Sequence, residues 1–203
     1  MRVLVACEFS GVVRDAFVRA GHDAMSCDLL PSETERPDGW DGHYRGNIFE
    51  ILGDKSYHFD MMIAFPPCTY LCSSGLHWNA RRPERRKLTN EALDFVLRLS
   101  VANIDRITIE NPIGCLSTRW RKPDQIIQPW QFGEDAAKAT CLWLKNLPLL
   151  VPTNILPGGR TARRSNQTAS GQNKLPPSPT RAMDRSRTYQ GIADAMAAQW
   201  GKL

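Results

Sequence analysis

"MRVLVACEFSGVVRDAFVRAGHDAMSCD", residues 1 to 28, carries the reading of the fold. Residues 3 to 7, "VLVAC", form a short apolar run rich in β-branched side chains, as a buried strand requires. "EFSG" then turns the chain, and Val13, Ala16, Phe17 and Ala20 recur at helical spacing until Gly21 stops the pattern. "DAMSCD", residues 23 to 28, predicts a second strand that ends in an acid. A helix between two short strands returns the chain to the same sheet edge, so the two strands are predicted to pair in parallel.

The same alternation continues downstream. "FDMMIAF" (59 to 65) predicts a buried strand, "TNEALDFVLRLSVAN" (89 to 103) a helix capped by Thr89, and "RITIEN" (106 to 111) another strand. The linking "PSETERPDGWDG" (31 to 42) is polar and turn-rich. Together these predict an α/β fold with a mainly parallel sheet and helices on both faces. After residue 112 the alternation fades, although "ATCLWL" (139 to 144) predicts a further strand. Residues 152 to 187 are rich in Pro, Gly, Ser, Gln and Arg, which predicts a loop-like, partly mobile segment. In "GIADAMAAQW", Ile192, Met196 and Trp200 lie four apart, the stripe of a helix that docks on the body.

The 203 residues, 42% of them hydrophobic, suit one core with an appendage rather than two domains. No stretch approaches the roughly 20 continuous apolar residues of a membrane span, and the apolar start meets Glu8 too early for a signal peptide. A cytoplasmic protein is the expectation. The six cysteines are dispersed and mostly lie within or beside apolar runs, which argues against a disulfide framework. Net charge is +5, concentrated in two runs: "RRPERRK" (81 to 87), with five basic groups against one acid, and residues 156 to 187, with seven against Asp184 alone. Each run by itself reads as a solvated face; two flanking one candidate site point toward a nucleic-acid partner.

In an open parallel sheet, ligands collect at the carboxyl ends of the strands, and the chemistry-bearing residues fall there. The first strand ends in "EFSG", with Gly11 in the turn, and the second ends at Asp28, where nucleoside-binding sheets place an acid for ribose hydroxyls. "FPPCTYLCSSG" presents Cys68 on a backbone stiffened by Pro66 and Pro67. "IENP" brings Glu110 and Asn111 to the end of the next strand. A thiol beside a carboxylate suits covalent addition to an electron-poor ring, the soft sulfur attacking carbon while the acid handles a ring proton. Cys68, Cys72 and His77 could instead clip a metal. Structural zinc wants four ligands in two close pairs, however, and Cys115 and Cys141 are isolated, so no metal is assigned and Cys72 reads as a packed thiol.

"EFSG", Asp28, "PPC" and "ENP", in that order, resemble the motifs of the DNA cytosine-C5 methyltransferases, over residues 1 to about 144 and again in "GIADAMA". The resemblance implies a Rossmann-like sheet, S-adenosylmethionine as methyl donor and transfer to C5 of a cytosine that leaves the helical stack. It implies a cofactor pocket of Phe9 against adenine, Ser10, Gly11, Asp28 on the ribose, Asn47 in place of the family's usual Asp, and Pro66. It makes Cys68 the nucleophile at C6, Glu110 the group holding N3 and the exocyclic amine, and Asn111 their neighbour. Substrate-side residues would be Pro67, Lys138 and Thr140, the last two on the family's two arginine positions, with Arg163 and Arg164 on phosphates. Val13 replaces a family glycine.

The family's sizeable target-recognition domain has no counterpart here. The implied division is a catalytic part at 1–151, a basic segment at 152–187 in place of that domain, and a closing helix at 188–203. Weak sequence specificity, an accessory specificity protein or a homo-oligomer follow as expectations, and the compact form is similar to phage and prophage genes. Two other readings stay open. The same chemistry could act on single-stranded nucleic acid, RNA or a free cytidine nucleotide, or a degenerate fold could simply bind nucleic acid through Arg160, Arg163, Arg164 and the 81 to 87 run. The tryptophans are read as core and seam residues.

Overall fold

The computed structural model describes residues 1–34 and 42–203. Part of the polar connection at 31 to 42 therefore lies outside the described residues. Five strands, β1 (Arg2–Ala6), β2 (Asp23–Asp28), β3 (His43–Arg45), β4 (Met61–Ala64) and β5 (Arg106–Pro112), run parallel. Two more, β6 (Gln125–Ile127) and β7 (Thr140–Lys145), complete a seven-stranded sheet in the order β3-β2-β1-β4-β5-β7-β6. The strand predicted at 139 to 144 is β7, and it runs antiparallel to both β5 and β6.

Alternating side chains divide the core between the two faces of the sheet. Leu4, Ala6, Met62, Ala64, Ile107 and Ile109 face α2 (Ile48–Gly53) and α4 (Pro83–Ser100), and the four-residue helices α3 (Ser73–Leu76) and α5 (Leu116–Arg119) follow β4 and β5. Val3, Val5, Met61 and Ile63 face α1 (Val12–Arg19) and α7 (Gln190–Trp200). Covering both faces explains why β1 and β4 read as continuous apolar runs rather than alternating ones. The expected mainly parallel α/β sheet with helices on both faces is what the chain forms. The closing helix docks as predicted: Ile192, Met196 and Trp200 are buried, and the Trp200 indole N–H donates to the Pro148 carbonyl at 3.0 Å.

Two expectations need correction. The helix predicted from Thr89 begins at Pro83, because proline at the first helical position needs no hydrogen-bond acceptor and has its φ already set. Thr89 is therefore mid-helix and buried; its hydroxyl donates to the Arg85 and Tyr70 carbonyls and accepts from Asn79 Nδ2. The 152–187 segment is as irregular as its composition implies, with one short helix, α6 (Arg181–Ser186), but its first half is tied down. Gly133 N donates to Asn154 O at 2.8 Å and Leu156 N to Trp130 O at 2.9 Å, while the Asn166 amide pairs with both main-chain groups of Ala137. Among the described residues no helix is long and apolar enough to cross a membrane.

Strand order reverses between β1 and β4, whose following connections run to opposite sides. Ligand crevices form at such a switch point, outside the carboxyl ends of the strands. The exits of β1, β2, β4 and β5 carry every candidate residue up to Asn111, Asn47 alone excepted.

Candidate active site

The β1 exit is built around a buried carboxylate. Cys7 takes a left-handed φ of 59° and swings the chain so that Glu8 turns back on the amino terminus of α1. Glu8 accepts from Val13 N at 2.7 Å and Arg14 N at 3.2 Å, capping the helix in place of an external anion. Gly11 has φ +73°, and a Cβ there would strike the Thr34 hydroxyl and the Arg14 guanidinium, so glycine is demanded by both backbone and space. Arg14 is fully buried and binds Asp15, Ser26, Ser32 and Thr34, fastening β2 and the following loop to α1.

Burial raises Glu8 to about 7, against the pull of its two backbone donors and Arg14. Raised in the folded state, it binds more protons folded than unfolded between its ordinary 4.5 and about 7, so its contribution to stability is present at low pH and is lost as pH rises through 7. Glu8→Gln removes that dependence. Between pH 5 and pH 8 the stability of the amide variant relative to wild type should improve by up to roughly 3 kcal/mol, read from denaturant midpoints. A difference that stays constant across those pH values would sink the assignment.

Phe9 is buried, and Arg187 lies over it with its guanidinium carbon 5.7 Å from the ring centroid. Arg187 is gripped by Glu33 at 2.8 and 2.5 Å and by Asp184 at 2.7 Å, and it holds both carboxyls below their usual range. Glu33 N in turn donates to Phe9 O at 2.9 Å. Asp28, at the β2 end, accepts from Leu30 N through one oxygen. Ser10 is buried and its hydroxyl faces Glu8 at 3.4 Å. Asn47 follows Gly46, whose N–H donates to Asp28 O at 2.9 Å, and its side-chain oxygen caps the next helix by accepting from Phe49 N at 3.1 Å.

At the β4 exit, the buried Pro66 presents its carbonyl to Asn111 Nδ2 at 2.8 Å, so Asn111 holds the Cys68 turn from the neighbouring strand. Pro67 is exposed. The Cys68 carbonyl accepts from Leu71 N and Cys72 N, and Cys72 forms a bridge to Gly114 beyond β5. Gly114 is required for that approach, since a Cβ would overlap the Leu71 carbonyl. Cys72 Sγ lies 3.4 Å from Ser74 Oγ. No group of three His, Cys, Asp or Glu converges as a metal site among the described residues.

Glu110, at the end of β5, sits in a narrow cleft with only about 10 Å³ of free space, among Phe65, Lys138, Thr140, Thr188 and Tyr189. Burial raises its carboxyl; Lys138 and a hydrogen bond with Thr140 oppose the rise. Cys68 is exposed beside this cleft rather than in its wall, near enough that charges in it act on the thiol. Desolvation first and Glu110 second push the Cys68 thiol up, while Lys138 pulls it down. Lys138 also donates to Arg185 O at 3.0 Å, which links the Glu110 cleft to the Arg187 strap over Phe9.

The structure thus gathers Phe9, Ser10, Gly11, Asp28, Pro66, Cys68, Glu110, Asn111, Lys138 and Thr140 around the switch point. Arg164 departs from its expected role as a phosphate contact. It is buried, donates to the Pro157 and Gly159 carbonyls and lies 5.5 Å from the Trp130 ring centroid, so it staples its own segment. Arg163 is exposed, with no ion pair or side-chain hydrogen bond among the described residues. Glu8, Arg14, Glu33 and Arg187 were not anticipated. A charged residue wedged between an apolar strand and a helix start was the available signal for Glu8; Arg187 carried none, because its partner is 154 positions away.

No known family's sequence profile matches the chain, and no curated protein does. Among solved structures, one described as a DNA modification methyltransferase encoded within a prophage (E. coli) matches with 14% identity over 78% of this chain and 53% of that chain, TM-score 0.47. The S. pombe Dnmt2 methyltransferase matches with 17% identity over 71% of this chain and 48% of that one, TM-score 0.42. The chain spans about half the length of the solved structures it matches.

Proposed function

We propose that the chain is an S-adenosylmethionine-dependent methyltransferase that acts on C5 of cytosine in nucleic acid, with DNA as the first candidate, through a covalent adduct on Cys68. The observation that carries the reading is the placement of the Cys68 turn and Glu110 at the carboxyl ends of two adjacent parallel strands, β4 and β5, tied together by the Asn111 Nδ2 to Pro66 O hydrogen bond at 2.8 Å and next to the Phe9 and Asp28 exits.

Of the residues expected to hold the nucleoside end of the donor, Asp28 keeps its second oxygen for ribose hydroxyls, while the Phe9 ring is buried beneath Arg187 and the space over Gly11 is filled by Thr34 and Arg14. The amino terminus of α1 is closed to the methionine carboxylate, because Glu8 already takes its N–H groups. When bound, the donor supplies an electrophilic methyl group on a sulfonium.

On the protein side, the Cys68 thiolate adds to C6 of the ring and makes C5 nucleophilic. Glu110, whose carboxyl is held above its ordinary range by burial, shares a proton with N3 as electron density moves into the ring. Lys138 favours the thiolate. Once C5 is methylated, loss of its proton regenerates the double bond and expels the Cys68 thiolate, so the thiol is unchanged over the cycle. Residues 1–151 are the proposed catalytic part, 152–187 a basic segment in place of a recognition domain, and 188–203 the closing helix.

The test uses methyl-labelled S-adenosylmethionine with duplex DNA, single-stranded DNA, RNA and free cytidine nucleotides. Label is expected at C5 of cytosine in DNA, and a 5-fluorocytosine strand should be trapped as a stable adduct. Label confined to free nucleotides would replace the DNA reading. Donor binding with neither label nor adduct on any acceptor would end the transferase reading.

A further inference from the structure

The basic run at 81 to 87 is half of a composite surface whose other half is aromatic. Trp78 lies in the 3-10 turn His77–Ala80 just before α4 and is 39% exposed. Arg82 places its guanidinium carbon 5.0 Å from the Trp78 ring centroid and Arg81 at 5.9 Å. Neither arginine side chain forms an ion pair or hydrogen bond among the described residues, and Arg86, one turn on, is equally free and exposed. A large ring held at the surface by cations that no acid among the described residues pairs with suits a ligand that is both flat and anionic.

The patch is fixed to the catalytic loop. Arg85 donates from Nε to Gly75 O at 3.1 Å and from NH2 to Thr69 O at 2.9 Å, with its guanidinium over the Tyr70 ring at 5.0 Å. Thr69 follows Cys68 directly, so α4's first turn and the nucleophile's loop are one braced unit. Asn79 ties the Trp78 turn to the same helix through Thr89 at 3.0 Å.

We propose that Trp78, with Arg81 and Arg82, is a stacking platform for an unpaired nucleotide flanking the target base, which makes single-stranded nucleic acid the preferred partner. A base in a single strand can stack on the exposed part of the Trp78 ring, which Arg81, Arg82 and the His77 ring already approach, whereas bases inside a duplex cover one another; cationic groups at the ring track the backbone phosphates. The platform deepens the reading above, since it rests on the Cys68 acceptor being a base within a strand, and it gives the chain a grip that needs no recognition domain.

The experiment measures binding of a fluorescein-labelled single-stranded DNA by anisotropy, using full-length protein in a Cys68→Ser background so that no turnover intervenes. Trp78→Ala should weaken binding about tenfold with the salt dependence unchanged, and Trp78→Phe should keep most of the affinity. The Arg81→Gln, Arg82→Gln pair should flatten the slope of log K against log salt by about 1.4. Duplex of the same sequence should bind more weakly and ignore Trp78→Ala; single-stranded RNA that depends on Trp78 in the same way supports the platform equally. Trp78→Ala affinity within twofold of the parent in a variant of unchanged melting temperature, or duplex binding at least as tight as single strand, overturns the proposal. A Trp78-dependent complex without label transfer or adduct in wild type removes the transferase reading and leaves the platform. An adduct that forms normally while strand affinity ignores Trp78 does the reverse.

Discussion

Cys68→Ser is expected to abolish both methyl transfer and the 5-fluorocytosine adduct, with transfer falling by at least about 10³-fold while donor binding stays within twofold. The size follows from chemistry: only a thiolate is both soft and populated enough to add to C6 at neutral pH, and a serine hydroxyl has no base placed to activate it. Donor binding is spared because Phe9, Gly11 and Asp28 lie on other loops. The resting thiol is not primed. Partial desolvation of this exposed residue and, second, Glu110 raise it, so alkylation of Cys68, followed on its own peptide by mass spectrometry, should climb with pH toward a midpoint above the ordinary thiol value near 8.5. Lys138 opposes that rise, and Lys138→Met should therefore move the midpoint higher still. A Cys68→Ser protein that still transfers methyl at a tenth of the wild-type rate would exclude the covalent route.

The chain declared its local elements well and its long-range contacts poorly. Strand, turn, helix and strand in the first 28 residues were legible because apolar spacing and glycine act over a few positions, and β2 falls where it was read. Cys68, Glu110 and Asn111 were legible as a group because each follows a strand and parallel strands bring such ends together. What failed depended on partners far along the sequence. Arg164 looks like a phosphate ligand until Pro157 and Gly159 offer it carbonyls. Thr89 looks like a cap until Pro83 starts the helix earlier and Tyr70 supplies an acceptor. Glu8 and Arg187 are ordinary surface residue types, and only the folded chain gives one a helix terminus and the other Glu33. Asn47 shows the converse, since its side chain does what an amide before a helix ordinarily does.

Glu110→Gln should push two measurements in opposite directions, which is why it tests the site more sharply than a loss of activity does. Transfer should fall by about 10²–10⁴-fold, since the amide cannot share a proton with N3 in the transition state. Thiol reactivity should rise. Glu110 is one of the groups that raise the Cys68 thiol, so removing its charge should lower the alkylation midpoint and speed alkylation at neutral pH. The variant is close in shape, and Thr140 and Lys138 remain to receive the amide oxygen, so the fold should hold and the melting temperature serve as control. If alkylation slows along with transfer, the two groups are not coupled through their charges, and Glu110 acts on Cys68 only by shaping the cleft. If alkylation quickens while transfer persists near the wild-type rate, the coupling is real but the carboxyl has no part in the chemistry. Only the divergent pair, a more reactive sulfur in a less active protein, matches an acid that restrains the nucleophile at rest and assists the ring when it is attacked.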